Sequence, residues 1–210
     1  MPIKNDREYR NIGVFNLEQR KENTEPTYKV EGYASTYEPY EMMEIDGEKY
    51  YERIDRHAFD EADLTDVVFL RDHEGRVLAR TKNQSVQLNI DDHGLHQITN
   101  LGLTGASREM YEDIATGNYQ QMSFSFIVAE DHYDKATRTR VVDRIKKVFD
   151  ISAVSFPANA GTNIGLSYRD YFDGVIEMEK AERLEAEKRQ REIEKLKLRL
   201  KLERIKNERQ

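Results

Sequence analysis

Short β-rich segments separated by turn signals run through residues 28–168, and this pattern limits the fold more than any other feature of the chain. The segment Val86-Gln87-Leu88-Asn89-Ile90 alternates with a period of two, which is typical of a half-buried strand. Asp91-Asp92-His93-Gly94 follows and predicts a hairpin turn in which Gly94 supplies a positive φ. A second strand is expected at residues 95–101. This part of the chain therefore predicts antiparallel pairing.

The neighbouring segments extend the same pattern. Strands are expected at residues 28–34, at the aromatic segment 121–128, and at residues 140–145 and 147–156. One amphipathic helix is expected at residues 104–114, before Gly117. The order of strands, then one helix, then further strands predicts an α+β fold. We expect a small, mainly antiparallel β-barrel, closed or sandwiched, with a few surrounding helices.

The charge of the chain is concentrated at its C-terminal end. Charged residues make up 35% of the sequence, above the roughly 25% of average globular chains. Residues 169–210 hold 13 of the 33 Lys and Arg and 11 of the 40 Asp and Glu, so their net charge is +2. Because the whole chain has a net charge of −7, residues 1–168 have a net charge of −9. We therefore predict an N-terminal arm at 1–27, a β domain at 28–168 and a charged tail at 169–210.

The tail has no Gly or Pro after residue 174, which favours one long C-terminal helix. Its apolar residues follow helical spacing without one strict heptad seam. They are Ile193, Leu196, Leu198, Leu200, Leu202 and Ile205. Both a solvated helix and a helix that binds a partner or a second copy fit this pattern.

Composition narrows the chemistry. The chain has no Cys, so disulfides, thiolate nucleophiles and thiolate metal sites are excluded. No apolar segment approaches the length of a membrane span or a signal peptide, and we expect a soluble, intracellular protein with no membrane partner. The net charge of −7 argues against nucleic acid as the main partner. We expect no cofactor and no metal.

Five histidines are the candidate general bases, at positions 57, 73, 93, 96 and 132. His93 and His96 with Asp91 or Asp92 would form a metal site only if a turn and a strand aimed their side chains together, which the spacing does not favour. His132 is expected in a polar loop. His73 directly follows an apolar strand at residues 67–70, where a rigid scaffold would hold it.

Two serines on the aromatic strand are the candidate nucleophiles. Ser123 and Ser125 are two residues apart and therefore lie on the same face of a strand. Geometry alone allows either hydroxyl to be the nucleophile. A solvent-facing Ser on a half-buried strand is the simpler interpretation of Ser123.

Six ordered blocks across roughly residues 28–165 resemble the prohead maturation proteases of tailed bacteriophages. The blocks are Gly32-Tyr33-Ala34-Ser35, Glu52-Arg53-Ile54-Asp55-Arg56-His57-Ala58-Phe59 with His57 where the family usually has Gly, Leu70-Arg71-Asp72-His73-Glu74, Asp91-Asp92-His93-Gly94-Leu95, Met122-Ser123-Phe124-Ser125-Phe126 with Ser125 in place of Gly, and Asp150-Ile151-Ser152-Ala153-Val154-Ser155-Phe156-Pro157-Ala158-Asn159.

The resemblance implies a barrel of the herpesvirus assemblin type and a serine endopeptidase. It implies Ser123 as the nucleophile, His73 as the general base and Asp150 as the third member of the triad, where the family more often has Glu. Burial of Asp150 between apolar neighbours would also require a partner such as an imidazole.

The resemblance also implies partners and a location. The expected substrates are the major capsid protein with its scaffold segment and the protease itself. We expect the protease to be a homodimer or higher oligomer and to act inside a prohead in the host cytoplasm. Two other functions remain open. One is a non-enzymatic capsid-assembly or scaffolding factor that acts through the helical tail, and the other is a metal-dependent hydrolase that uses His93 and His96.

Overall fold

The computed structural model describes residues 7–16, 28–155 and 166–207. The described chain is a mixed α+β structure of mostly strands, with two α-helices and one short 3-10 helix at Thr81–Asn83. In chain order the strands and α-helices are β1 Arg7–Asn16, β2 Lys29–Thr36, β3 Tyr40–Ile45, β4 Glu48–Ile54, β5 Val68–Arg71, β6 Glu74–Arg80, β7 Val86–Ile90, β8 Gly94–Asn100, α1 Gly105–Ala115, β9 Gln121–Asp134, β10 Thr139–Val154 and α2 Leu166–Asn207.

A long antiparallel hairpin of β9 and β10 lies in the middle of the sheet. β10 has 16 residues, and its other edge is shared by two shorter parallel neighbours, β4 near its start and β5 near its end. The two strands predicted at residues 140–145 and 147–156 are thus one strand, because register shifts absorb the break near Lys147 without ending the pairing.

The strand order in the sheet is β3-β4-β10-β9-β1-β2-β8-β7, with β5 paired to β10 and β6. Most neighbours are antiparallel, as predicted. Within the described residues the order is an open path with no pairing that closes it into a barrel, so the expected closure is not found there. Closure depends on pairing between strands far apart in sequence, which local periodicity does not report.

Strand β1 lies inside the sheet, between β9 and β2. It falls within the segment that the sequence assigned to an N-terminal arm, where no strand was predicted. A buried ion-pair cluster holds it there. Arg10 is 2% exposed and donates to Glu52 and Glu8, and Arg140 donates to both carboxylates as well. Removing one partner of such a cluster would leave buried charge uncompensated.

The apolar core lies against the inner face of the sheet and under α1. Met110 and Ile114 of α1 are buried, and Phe124 of β9 stacks on Phe126 with ring centroids 4.5 Å apart. Helix α1 begins as predicted, because Thr104 Oγ1 accepts a hydrogen bond from the Ser107 N–H at 3.1 Å. It ends before Gly117, which has φ +84°.

The hairpin of β7 and β8 is present as predicted, but the reason for its glycine is different. Gly94 does not adopt a positive φ. A Cβ atom at this position would lie 2.0 Å from the carbonyl oxygen of Ser35 in β2. Gly94 is therefore required by the close approach of β8 to β2 and not by turn geometry.

The chain divides into two units, of which residues 3–168 contain the sheet and residues 169–210 contain most of α2. Helix α2 has 42 residues, a length of about 63 Å at 1.5 Å per residue. Its first part buries Phe172, Val175 and Ile176, whereas Leu196, Leu198 and Leu200 are exposed. Neither described helix is both long enough and apolar enough to span a membrane.

Candidate active site

The pairing of β9 with β10 brings four polar side chains to one face of the hairpin. Ser123 lies opposite Ser152, and Ser125 lies opposite Asp150. All four side chains belong to residues that are fully buried. On the other face Phe124 lies opposite Ile151 in the core. The sequence predicted that Ser123 and Ser125 share a face, but not that this face is buried.

His73 comes to the same place from the tight turn between β5 and β6. Because β5 runs parallel to the end of β10, the turn lies beside Ala153, whose carbonyl accepts from the Asp72 N–H at 2.9 Å. Asp72 and His73 have φ of 47° and 62°, a left-handed conformation that costs roughly 1 kcal/mol or more per non-glycine residue. Such strain commonly accompanies functional positions.

The three predicted site residues form one hydrogen-bonded chain. His73 Nε2 lies 2.5 Å from Ser123 Oγ, and His73 Nδ1 lies 2.6 Å from Asp150 Oδ1. An ionised Asp150 accepts from Nδ1–H, which leaves the Nε2 lone pair to accept the Ser123 proton. The imidazole is the part of this chain that solvent reaches, since its side chain is 16% exposed and that of Asp150 is buried.

Ser125 Oγ donates to the second oxygen of the carboxylate, Asp150 Oδ2. The other oxygen, Oδ1, also accepts from Ser152 Oγ at 2.7 Å. Burial alone would raise the pKa of Asp150, but the hydrogen bond and charge of His73, with the hydroxyls of Ser125 and Ser152, hold that pKa below its ordinary value. The acid is thus ionised at neutral pH and oriented at both oxygens.

Strand β1 contributes two side chains that the sequence did not predict for the site. Arg7 donates to Asp150 Oδ2, and its Nη2 also lies 2.7 Å from Ser125 Oγ. The ring of Tyr9 meets that of His73 edge to face, with centroids 4.7 Å apart. Burial alternates along the start of β1, with Glu8 and Arg10 buried and Arg7 and Tyr9 partly exposed, but these residue types show no alternation of polar and apolar side chains in the sequence.

The other histidines lie elsewhere. His57 pairs with Asp60, His93 packs on Tyr33, and His96 Nε2 lies 2.9 Å from Glu31. His132 was expected in a loop, but β9 continues to Asp134, so His132 is a strand residue 2.6 Å from Asp143.

Within residues 7–16, 28–155 and 166–207, no group of three or more His, Asp or Glu side chains is placed to hold a metal ion. His93 and His96 therefore lack a described ligand set for the metal-dependent alternative.

A hydroxyl, an imidazole and a buried carboxylate in hydrogen-bonded order are typical of serine hydrolases. The family model of the caudovirus prohead serine proteases matches residues 15–174. The chain therefore belongs to the caudovirus prohead serine protease family, a family of serine proteases of phage capsid maturation. No curated protein and no solved structure gives a significant match.

The block after Ser155, with Pro157, Ala158 and Asn159, lies outside the described residues. Most of the predicted N-terminal arm, residues 1–27, also lies outside the described residues. The family match begins at residue 15, after the part of β1 that reaches the site.

Proposed function

We propose that this protein is an endopeptidase with a Ser123–His73–Asp150 triad. The observation that carries the proposal is the continuous hydrogen-bonded chain from Ser123 Oγ through both nitrogens of His73 to Asp150 Oδ1. A serine hydroxyl is a weak nucleophile until a base accepts its proton, and this chain supplies both the base and the anion that stabilises the resulting imidazolium.

In the proposed reaction Ser123 Oγ attacks the carbonyl carbon of the scissile peptide bond while His73 Nε2 takes the hydroxyl proton. The same proton passes to the leaving amine as the C–N bond breaks, which leaves an ester on Ser123. Water then attacks the ester, His73 takes a proton from the water, and the proton returns to Ser123 Oγ as the new carboxyl group leaves. Asp150 stays ionised throughout.

We propose the scaffold segment of the major capsid protein as the substrate, together with the protease itself, inside the prohead in the host cytoplasm. Membership in the prohead protease family supports this proposal. We also propose that the protein forms a homodimer or higher oligomer and that its fold is related to that of the assemblin proteases. The largely antiparallel order of the described sheet supports the fold relationship.

The experiment is co-expression with the major capsid protein of the same phage, followed by a gel. Cleavage of the capsid protein by the natural protease and its loss in Ser123→Ala would support the proposal. The matched control is Ser35→Ala, which removes another fully buried hydroxyl, in β2, that has no contact with His73. Equal cleavage by Ser123→Ala and the natural protein would contradict the proposal.

One observation favours a second candidate, a non-enzymatic assembly factor. Exposed apolar residues continue along the far part of α2, a surface suited to docking. They are Leu184, Ile193, Leu196, Leu198, Leu200 and Leu202. If Ser123→Ala supports normal capsid processing, this candidate replaces the protease.

A further inference from the structure

Both oxygens of Asp150 have fixed partners, and the partners of the two oxygens differ in kind. Oδ1 accepts from His73 Nδ1 and Ser152 Oγ. Oδ2 faces away from the imidazole and accepts from Ser125 Oγ and from Arg7. The carboxylate therefore lies between two basic side chains, the imidazole on one side and a guanidinium on the other.

Several contacts hold the Arg7 guanidinium in place. It lies 4.6 Å from the centroid of the Phe149 ring and 5.3 Å from that of Tyr9, and its Nε and Nη2 both reach Ser125 Oγ, at 3.0 and 2.7 Å. The side chain of Arg7 is 36% exposed, while that of Asp150 is buried. A planar group held by rings and by two hydrogen-bonding nitrogens keeps one orientation better than a flexible ammonium would.

The backbone that carries Arg7 is also fixed. Arg7 and Tyr9 pair with Ile127 and Ser125 of β9. One residue further, Arg10 projects to the opposite face of β1 and enters the buried cluster with Glu52 and Glu8. The two faces of one strand thus join a buried ion-pair cluster to the acid of the proposed triad.

We infer that Arg7 is a positioning residue of the active site, which fixes the second oxygen of Asp150 and offsets part of the negative charge that faces His73. The inference rests on the proposed function of Ser123, His73 and Asp150. It makes the N-terminal strand a part of the active site, although this strand lies more than a hundred residues from β9 and β10 in the sequence.

The test compares Arg7→Gln, Arg7→Lys and the natural protein by their rate of labelling with a fluorophosphonate probe. We expect Arg7→Gln to label about a hundredfold more slowly, because Oδ2 of Asp150 loses the group that fixes it. We expect Arg7→Lys to recover part of this loss and to label about tenfold more slowly than the natural protein, since the charge remains and the planar contact is lost.

The matched control is Arg144→Gln. Arg144 is also a partly exposed arginine, 42% exposed, and it donates to Glu130 at 2.7 Å, away from the serines. We expect its labelling rate to match that of the natural protein. An unchanged rate in Arg7→Gln, no recovery in Arg7→Lys, or the same loss in Arg144→Gln would overturn the inference.

A second measurement does not depend on activity. Unfolding by urea in the Ser123→Ala background gives a double-mutant cycle for Arg7→Gln and Asp150→Asn. We expect clear non-additivity, with the double variant no less stable than the more damaged single variant. Strict additivity would overturn the inference while leaving the proposed triad to its own test, since Ser123→Ala in the natural background reports on that triad alone.

Discussion

Ser123 and Ser125 share a face of β9, yet the imidazole contacts the first hydroxyl and the carboxylate contacts the second. We expect Ser123→Ala to lower the rate of proteolysis by several orders of magnitude while the protein stays folded, because a triad depends on a single activated hydroxyl. Ser125→Ala should keep a substantial part of the activity, since it removes only a hydrogen bond to Asp150. Cleavage of the capsid protein on gels, with circular dichroism to verify folding, measures both.

His73 connects the other two residues of the proposed triad. We expect His73→Gln to be as damaging as Ser123→Ala, and the double variant to be no worse than either, because residues that act as one unit do not contribute additively. His93→Gln, His96→Gln and His132→Gln should be mild. If a chelator such as EDTA stops cleavage while His73→Gln does not, the metal-dependent hydrolase is correct instead.

Asp150 is shorter by one methylene than the Glu expected from the family resemblance, and Ser125 stands opposite it where Gly is usual. We expect Asp150→Asn to lower turnover by roughly a thousandfold or more. Asp150→Glu should retain more activity than Asp150→Asn, and Ser125→Gly in combination should give the longer side chain room. Turnover of these three variants, measured beside the natural protein, tests this. An inert Asp150→Asn would assign the third role to another residue.

The same carboxyl makes stability depend on pH. Since folding lowers the pKa of Asp150, its contribution to stability is present above the unfolded value near 3.9 and is lost as the pH falls through the folded value. We therefore expect the difference in unfolding free energy between the natural protein and Asp150→Asn to be constant near neutral pH and to shrink below about pH 4. A difference that stays the same down to pH 2 would contradict this.

Among the elements, the hairpin of β7 and β8 gives the sharpest steric prediction. Gly94→Ala would place a Cβ atom 2.0 Å from the Ser35 carbonyl oxygen, so β8 must move away from β2. We expect a loss of roughly 1–3 kcal/mol in unfolding free energy, the usual range for overpacking. Gly105→Ala is the control, because nothing lies within 4 Å of its Cβ. Its midpoint of urea unfolding should be unchanged or slightly higher.

Local signals predicted some elements well and missed others for identifiable reasons. Thr104 and Gly117 marked the ends of α1, and period-two alternation marked β7. One face of β1 enters an ion-pair cluster, so its buried side chains are charged. The strand therefore lacks the apolar pattern that predicts a half-buried strand. The family resemblance gave Ser123, His73 and Asp150, but Arg7 enters the site only through long-range pairing.

At the scale of the whole molecule, the division between the domain and the charged tail stays a prediction. A truncation within α2 tests this division. We expect a variant that ends at Met178, and so retains the buried Phe172, Val175 and Ile176, to cleave supplied capsid protein in solution and to be poorly incorporated into assembling shells. Gel assays of purified proheads measure incorporation. Loss of the cooperative thermal transition would show that the rest of α2 belongs to the core.

The large sequence separation between Arg7 and Asp150 affects the time at which we expect the protein to become active. Arg7 and Asp150 are 143 positions apart, and chains grow at roughly 5–20 residues per second, so on the order of ten seconds separate the synthesis of the two. Folds that depend on contacts of such large sequence separation also form slowly. A growing chain therefore has its histidine and its serine before the acid and the arginine can meet, and we expect no partly synthesised chain to cut its neighbours.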